Sequence, residues 1–262
     1  MKNLSTISPD RFKNVRAVAF DIDDTITTDG RVTADAYQAL WHIHQAGLIL
    51  LAVTGRPAGW CDLIARAWPV DGVIGENGAF AYLRKGRAIE RIDVAPAPTE
   101  RELNEMKKHL LQRFPNLGLS SDQFCRRFDL AIDFAEEVGP FPVSTAEKVA
   151  QAFEASGWTA KVSSIHVNGW KGHWDKASTL SHCLSEHYQL TPDQVAYVGD
   201  SPNDAPMFAL AGLSVGVANI RDFPMPKTPP EFITTKPQGA GFSEFTELLL
   251  RTQGFTFHQA SD

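Results

Sequence analysis

Short apolar runs alternate with amphipathic segments over the first third of the chain. The runs "VRAVAFDI", "LILLAVTG" and "DGVIGENGAF" lack a polar face, which is typical of strands buried on both sides. Between them, "TADAYQALWHIHQAG" has helical spacing, with Thr33 as a candidate N-cap and Gly47 as a stop, and "PAGWCDLIARAW" is also helical. Strands that alternate with helices predict a parallel sheet covered on both faces.

The pattern changes near Tyr82 and returns after Asn168. "FAYLRKGRAIERIDV" predicts a hairpin turning at Lys85–Gly86, and helices at "ERELNEMKKHLLQRF" and "STAEKVAQAFEASG" are interleaved with alternating segments at "FCRRFDLAIDFA" and "WTAKVSSIHVN". We therefore predict an α/β protein. Its Rossmann-like parallel-sheet core comprises residues 1–83 and 169–262, and an α+β domain, residues 84–168, is inserted between them.

Composition restricts the classes of partner. The chain of 262 residues is 43% hydrophobic and 21% charged, with a formal charge of −6, which argues against broad electrostatic contact with nucleic acid. Its three cysteines are far apart, so a disulfide framework or a cysteine zinc site is not expected. No apolar leader or membrane-length run is visible. We expect a cytoplasmic protein without nucleic-acid or membrane partners, and the sequence assigns no oligomeric state.

Polar residues follow several of the predicted strands, where a parallel sheet binds its ligands. They are Asp21, Asp23, Thr25, Thr54, Asp200 and Asp204, joined by Lys176 at the start of the helix after the insert. Each alone is compatible with an ordinary turn, cap or surface residue. Two carboxylates 4 Å apart repel by about 4 kcal/mol at an effective dielectric of 20, so several at one sheet edge require a cation. Oxygen-only ligands favour Mg²⁺, whereas Thr54 and Lys176 suit a phosphoryl group.

Four of these stretches, in this order, form a pattern. "DIDDT", "VTGR", Lys176 and "GDSPND" resemble the four motifs of the haloacid dehalogenase superfamily, and the insert resembles the α/β cap domain of that superfamily. "GENGA", "IHVNGWKGHWDK" and "GDSPNDAPMF" resemble the sugar phosphatases related to sucrose-phosphate, mannosyl-phosphoglycerate and trehalose-phosphate phosphatases. Asp24 and Ala177 stand where many relatives have glycine, and neither change removes a reacting group.

The resemblance implies a Mg²⁺-dependent phosphatase that hydrolyses a small phosphorylated metabolite, a sugar phosphate, through an aspartyl-phosphate. Asp21 would be the nucleophile and Asp23 the general acid and base, a contribution of about 10²–10⁴-fold. Thr54, Gly55 and Lys176 would hold the phosphoryl group, and Asn203 would orient Asp200 or Lys176. The metal would lie on Asp21, the main-chain carbonyl of Asp23, and Asp200, with support from Asp204.

Specificity is expected in the insert, because the core motifs grip only the phosphoryl group. In "FCRRFDLAIDF" a period of two defines two faces. One carries Phe124, Arg126, Phe128, Leu130, Ile132 and Phe134, and the opposite, polar face carries Arg127, Asp129, Ala131 and Asp133. The two helices of the insert need the apolar side, which leaves the polar side to face the core. The residues expected to bind the leaving part of the substrate are Arg127, Asp129, Ser164, His166 and Asn168. The alternative is a plain solvated sheet face.

Two other functions remain open at this point. A phosphotransferase of the phosphomannomutase type shares the expected architecture, although "VTGR" favours the hydrolytic branch. A non-enzymatic phospho-acceptor domain also uses an aspartate cluster, a threonine and a lysine. Such a switch has no use for Asp23 as an acid or for a large inserted domain.

Overall fold

The computed structural model describes residues 1–94 and 96–255, so residues 256–262 of the predicted second core segment lie outside the described residues. The strands are β1 (Lys2–Asn3), β2 (Ala17–Phe20), β3 (Thr27–Thr28), β4 (Arg31–Val32), β5 (Ile49–Val53), β6 (Gly72–Gly75), β7 (Phe80–Lys85), β8 (Ala88–Asp93), β9 (Gly118–Leu119), β10 (Asp129–Asp133), β11 (Thr159–Val162), β12 (His166–Trp170), β13 (Val195–Gly199), β14 (Leu213–Gly216) and β15 (Phe232–Ile233). The α-helices are α1 (Ala34–Gln45), α2 (Ala58–Ala67), α3 (Glu100–Arg113), α4 (Val143–Ala155), α5 (Lys176–Cys183), α6 (Ala205–Leu210) and α7 (Gln238–Thr252).

The core is a nine-stranded sheet in the order β1-β15-β14-β13-β2-β5-β6-β7-β8. Neighbouring strands from β1 to β6 run parallel, which confirms the expected α/β class. β2 lies at the centre between β13 and β5. The loops that follow these three strands therefore meet at one edge of the sheet.

Helices cover both faces of this sheet, as the apolar runs predict. In β2, Val18 and Phe20 pack in the cluster that includes α1, α2 and α7, whereas Ala17 and Ala19 pack in the cluster that includes α5 and α6. A strand buried on both sides needs apolar residues at every position, which explains why "AVAF" shows no alternation. Within residues 1–94 and 96–255, none of the helices combines the length and apolarity needed to cross a bilayer.

The inserted domain has its own sheet, which is antiparallel and ordered β11-β12-β10-β9. Leu130, Ile132 and Val167 pack against residues of α3 and α4 on one face. The expected covering of the apolar face by the two helices is thus confirmed. α3 begins with the capping box of Thr99 and Glu102 that its sequence predicts.

The predicted start of the insert at residue 84 falls within a hairpin that belongs to the core. β7 pairs antiparallel with β6, and β8 pairs with β7 along its whole length. The chain thus extends the core sheet by two strands before it leaves for the insert. At the other limit, β12 continues to Trp170, two residues beyond the predicted boundary.

Two predicted strands of the insert also differ from expectation. Only Asp129–Asp133 of "FCRRFDLAIDFA" is a strand, and Phe124, in a helical turn before it, is 88% exposed. The N–H groups of Arg127 and Phe128 bond to the carboxylate of Glu76 instead of to a neighbouring strand. "WTAKVSSIHVN" is not one strand, because the chain reverses at residues 163–165 and β12 pairs back onto β11.

Candidate active site

Three aspartates converge at the carboxyl ends of the central strands. Asp21 follows β2 and its N–H donates to the carbonyl of Val198 at 3.0 Å, while Asp200 follows the neighbouring β13. Asp204 precedes α6. One carboxylate oxygen from each of Asp21, Asp200 and Asp204 lies within 4.8 Å of the others, and all three residues are buried. The parallel pairing of β2 with β13 is what brings these distant residues together.

Lys176 bridges two of these carboxylates. Its Nζ lies 3.1 Å from Oδ1 of Asp21 and 3.1 Å from Oδ1 of Asp204. Asp175 caps the N-terminus of α5 by accepting from the N–H of Ser178 at 2.7 Å, so the lysine starts its helix at a defined point. Gly78 (φ +105°) permits this approach, because a Cβ there would lie 2.3 Å from the carbonyl oxygen of Asp175.

Asp204 has partners on both oxygens. Oδ1 also accepts from the hydroxyl of Tyr197 at 2.6 Å, and Oδ2 accepts from the N–H groups of Asp200 and Ser201 at 3.2 and 3.4 Å. In contrast, Oδ2 of Asp200 is buried and has no hydrogen-bond partner among the described residues. Asp200 therefore has an oxygen free to ligate a cation.

The electrostatics of the cluster indicate a shortage of positive charge. Burial raises the pKa of Asp21 to about 7, although Lys176 opposes the shift. Burial, reinforced by Asp204 and Asp21, raises the pKa of Asp200 well above its usual range. Burial also works to lower the pKa of Lys176, but Asp204 and Asp21 outweigh it and raise that pKa. The residues present thus fit a divalent cation with a preference for oxygen ligands.

Thr54 and Gly55 form the turn after β5, beside Asp21. Thr54 is fully buried, and its hydroxyl accepts from the N–H of Arg56 at 3.0 Å. A Cβ on Gly55 would lie 3.3 Å from the side-chain oxygen of Asn77, so a larger residue would crowd this turn. Gly55 also lines the cavity that the aspartates line.

Asp23 forms an ion pair with Arg56, a residue that the sequence analysis did not single out. Nε of Arg56 lies 3.0 Å from Oδ2 of Asp23, and Nη2 lies 2.8 Å from Oδ1. The guanidinium also lies 4.4 Å from the ring centroid of Trp60. Arginine after "VTG" carried a usable signal, because it follows a buried strand that ends at the aspartate cluster.

A cavity of about 20 Å³ lies between the core and the insert. The core lines it with Asp21, Asp23, Gly55, Arg56, Asp200 and Asn203, and the insert lines it with Ser163, Ser164, Ile165, His166 and Asn168. This volume holds about one water molecule.

The five residues expected to face the substrate divide into two groups. Ser164, His166 and Asn168 line the cavity. Arg127 lies elsewhere: its guanidinium pairs with Asp93 at 2.8 and 3.0 Å on the outer side of the molecule. Arg127 lies before β10, which begins at Asp129. The alternation of side chains along that strand therefore does not determine where the Arg127 side chain points.

Asp129 is on the expected face but is fully engaged within the insert. It pairs with Nη1 of the buried Arg126 at 3.0 Å and accepts from the side-chain amide of Asn168 at 2.8 Å. Asp129 therefore holds the side chain of Asn168 in place and does not line the cavity itself. The alternation placed Arg126 on the opposite, apolar face, and this was wrong, because Arg126 lies before β10 begins and its buried guanidinium turns toward Asp129.

Glu136 is a second residue that the sequence analysis missed. Oε1 accepts from Nη2 of Arg56 at 2.8 Å, and Oε2 lies 2.9 Å from Nε2 of His166. His166 and Arg56 lower the pKa of Glu136 to about 2. Its sequence context, the acidic stretch "DFAEEV" after a strand, gives no local signal for this contact.

Comparisons with known proteins agree with this arrangement. Residues 18–118 and 144–223 match the family of haloacid dehalogenase-like hydrolases. A phosphoglycolate phosphatase of Methanospirillum hungatei is 26% identical over 246 residues, which cover 89% of this chain and 96% of that protein. One from Pyrobaculum neutrophilum is 27% identical over 239 residues, which cover 90% and 96% of the two chains.

Solved structures share the fold. A protein of Thermoplasma acidophilum superposes with a TM-score of 0.71 at 19% identity and covers 89% of this chain and 99% of its own. A sugar phosphatase of subclass IIB of the same superfamily superposes with a TM-score of 0.61 at 14% identity, covering 92% and 99%. With the family match extending over both core segments, the chain belongs to the haloacid dehalogenase-like hydrolases, as a phosphoric monoester hydrolase.

Proposed function

We propose that this protein is a Mg²⁺-dependent phosphatase that hydrolyses a small phosphorylated metabolite through an aspartyl-phosphate on Asp21. The observation that carries the proposal is the bridge from Lys176 to Asp21 and Asp204 beside the unpartnered oxygen of Asp200. A buried carboxylate held by an ammonium group can attack phosphorus, and the same cluster attracts the cation that such a reaction needs.

Asp21 forms the covalent bond to phosphorus, and Asp23 transfers the protons. A carboxylate oxygen of Asp21 attacks phosphorus, the bond from phosphorus to the ester oxygen breaks, and protonated Asp23 transfers its proton to the leaving oxygen. Asp23 then takes a proton from water as the water oxygen attacks phosphorus. Inorganic phosphate leaves, and Asp21 is regenerated as a carboxylate.

The phosphoryl oxygens need donors and positive charge. Thr54 offers its hydroxyl and Gly55 the backbone of the turn, while Lys176 supplies a fixed ammonium group. Asn203 lines the same cavity and would orient Asp200 or Lys176. These groups are held before substrate arrives, so they require little rearrangement as charge moves during transfer.

Mg²⁺ would be held by Asp21, Asp200 and the main-chain carbonyl of Asp23. Asp204 supports the site, because both of its oxygens already have protein partners. When bound, the ion would neutralise charge on the transferring phosphoryl group. The high pKa values of Asp21 and Asp200 support this assignment, because a cation removes the cost of burying both as anions.

The substrate we favour is a sugar phosphate. Ser163, Ser164, His166 and Asn168 line the cavity, and hydroxyl, imidazole and amide side chains of this kind can bind hydroxyls of a leaving group. A second candidate is 2-phosphoglycolate, on the names of the relatives. A carboxylate substrate needs a free cationic partner, and Arg56 is already shared among Asp23, Glu136 and Asp122.

The test is release of inorganic phosphate from a panel of sugar phosphates, 2-phosphoglycolate and 4-nitrophenyl phosphate, with Mg²⁺ and with EDTA. We expect Mg²⁺-dependent release, fastest from a sugar phosphate, and no release by the Asp21→Asn variant. Isomerised sugar phosphate without free phosphate would indicate the mutase. A stable phosphoprotein without turnover would indicate the phospho-acceptor domain.

A further inference from the structure

We propose that Glu136 is a positioning residue that acts through Arg56 to orient Asp23 when the inserted domain lies over the core. The inference rests on the proposed role of Asp23 as general acid. It concerns a bridge between domains: Asp23 and Arg56 belong to loops of the core, whereas Glu136 follows β10 of the insert. The bond between Arg56 and Glu136 therefore exists only when the two domains are in contact.

The geometry of Arg56 makes it suited to transmit this contact. Its guanidinium binds Asp23 through Nε and Nη2, and the same Nη2 donates to Glu136 at 2.8 Å. The side chain of Arg56 is only 6% exposed. A guanidinium is planar, so a carboxylate bound through two of its nitrogens must lie near that plane. Glu136 at Nη2 is the shorter of two contacts from the insert, since Asp122 lies 3.5 Å from Nη1. Together they restrain the plane of the guanidinium, and with it the orientation of the Asp23 carboxylate.

Glu136 is itself held in place. The carboxylate of Asp133 accepts from the N–H groups of Ala135, Glu136 and Glu137 at 2.8–3.0 Å, which sets the turn after β10. The second oxygen of Glu136 lies 2.9 Å from Nε2 of His166, which lines the cavity. One carboxylate of the insert therefore contacts both a substrate-facing side chain and the partner of the general acid.

The expected consequence depends on the leaving group. A general acid matters most when the departing oxygen is strongly basic, and much less when the leaving group is stable as an anion. Phenyl phosphate and 4-nitrophenyl phosphate share a ring, and nitrophenolate leaves far more readily without a proton. A misoriented Asp23 should therefore slow phenyl phosphate more than 4-nitrophenyl phosphate, whereas general damage to the fold should slow both equally.

The experiment measures kcat/KM of Glu136→Ala for both esters at saturating Mg²⁺, with the melting temperature as a check on folding. We expect the loss with phenyl phosphate to exceed the loss with 4-nitrophenyl phosphate by about tenfold, within the range of general acid catalysis. Glu136→Gln retains an acceptor for Arg56 and should recover part of the difference. Glu137→Ala is the matched control, because Glu137 bonds to Ser121 at 2.6 Å, and it should leave both rates unchanged.

Equal losses of kcat/KM on the two esters, or no loss on either, would overturn the inference. A loss confined to the best sugar phosphate would also overturn it, because Glu136 would then contact the substrate directly. Asp23→Asn on the same pair separates this result from the proposed function. If Asp23→Asn discriminates between the esters and Glu136→Ala does not, only the positioning role fails. If Asp23→Asn does not discriminate, the acid role of Asp23 fails as well.

Discussion

The ammonium nitrogen of Lys176 lies 3.1 Å from a carboxylate oxygen of Asp21. Both side chains are buried, with exposed fractions of 5% and 8%, so their attraction is only weakly screened by solvent. Lys176 holds Asp21 in place and partly offsets the negative charge of the cluster. Among the described residues Asp200 has no hydrogen-bond partner on its Oδ2, so it is the carboxylate of the cluster most in need of a cation.

Replacing Asp21 by asparagine should abolish turnover while the fold persists. The amide is nearly the same size as the carboxylate but is not a nucleophile. Phosphate release and the melting temperature are measured on the purified variant. Turnover near the rate of the parent protein would contradict the covalent mechanism.

Removing Lys176 should destabilise the metal-free protein and increase its response to Mg²⁺. Loss of one partner of a buried ion pair costs about 3–5 kcal/mol, and the three aspartates left behind should attract a cation more strongly. The melting temperature of Lys176→Ala is measured with and without Mg²⁺. Lys171→Ala is the control, because Lys171 pairs with Glu102 at the surface and should change stability by less than about 1 kcal/mol. An unchanged Mg²⁺ response in Lys176→Ala would argue against a metal at this cluster.

Activity should require a small, hard cation. EDTA should stop phosphate release and Mg²⁺ should restore it, whereas Ca²⁺ should inhibit because it favours longer bonds and looser geometry. Asp200→Ala should raise the Mg²⁺ concentration needed for half-maximal rate far more than Asp24→Asn. Asp24 has a φ of 55°, which asparagine tolerates, and its side chain bonds to Gln238. Full activity after exhaustive chelation would exclude the site.

His166→Ala should lower kcat/KM for a sugar phosphate, whereas Arg127→Ala should not. His166 lines the cavity, whereas Arg127 pairs with Asp93 away from it. We expect His166→Ala to lower kcat/KM for the best sugar phosphate and to change 4-nitrophenyl phosphate little. Arg127→Ala should leave both substrates unaffected. A selective loss in Arg127→Ala would mean that the recognition surface lies on the outer side of the insert.

The contribution of Glu136 to stability should depend on pH. Arg56 and His166 face its carboxylate, and its pKa in the folded protein is lowered to about 2 from an ordinary 4.5. A lowered folded-state pKa means that the stabilisation is present above about pH 4.5 and is lost as the pH falls toward 2. The difference in unfolding free energy between the parent and Glu136→Gln should shrink over this interval. A constant difference would contradict the ion pairs.

Local signals in the sequence were sufficient for several elements. Thr33 and Thr99 cap the helices that they were expected to start, because a cap bonds to backbone groups only two or three residues away. The unbroken apolar run of β2 predicts burial on both faces for the same local reason. The order of the aspartate, threonine and lysine stretches indicated which loops would share a sheet edge, since parallel strands end at the same side.

Other features depend on contacts between distant segments. No local pattern predicts that β7 and β8 extend the core sheet. The same is true of the outward direction of Arg127 and of the contacts of Arg56 with both Asp23 and Glu136. Alternation assigns side chains to two faces of a strand, but it does not say which element covers each face or where the strand begins. The sequence by itself therefore determined the motifs and the sheet that gathers them. Only the tertiary structure decided which side chains of the insert meet the core, because that depends on how two separately packed sheets lie against each other.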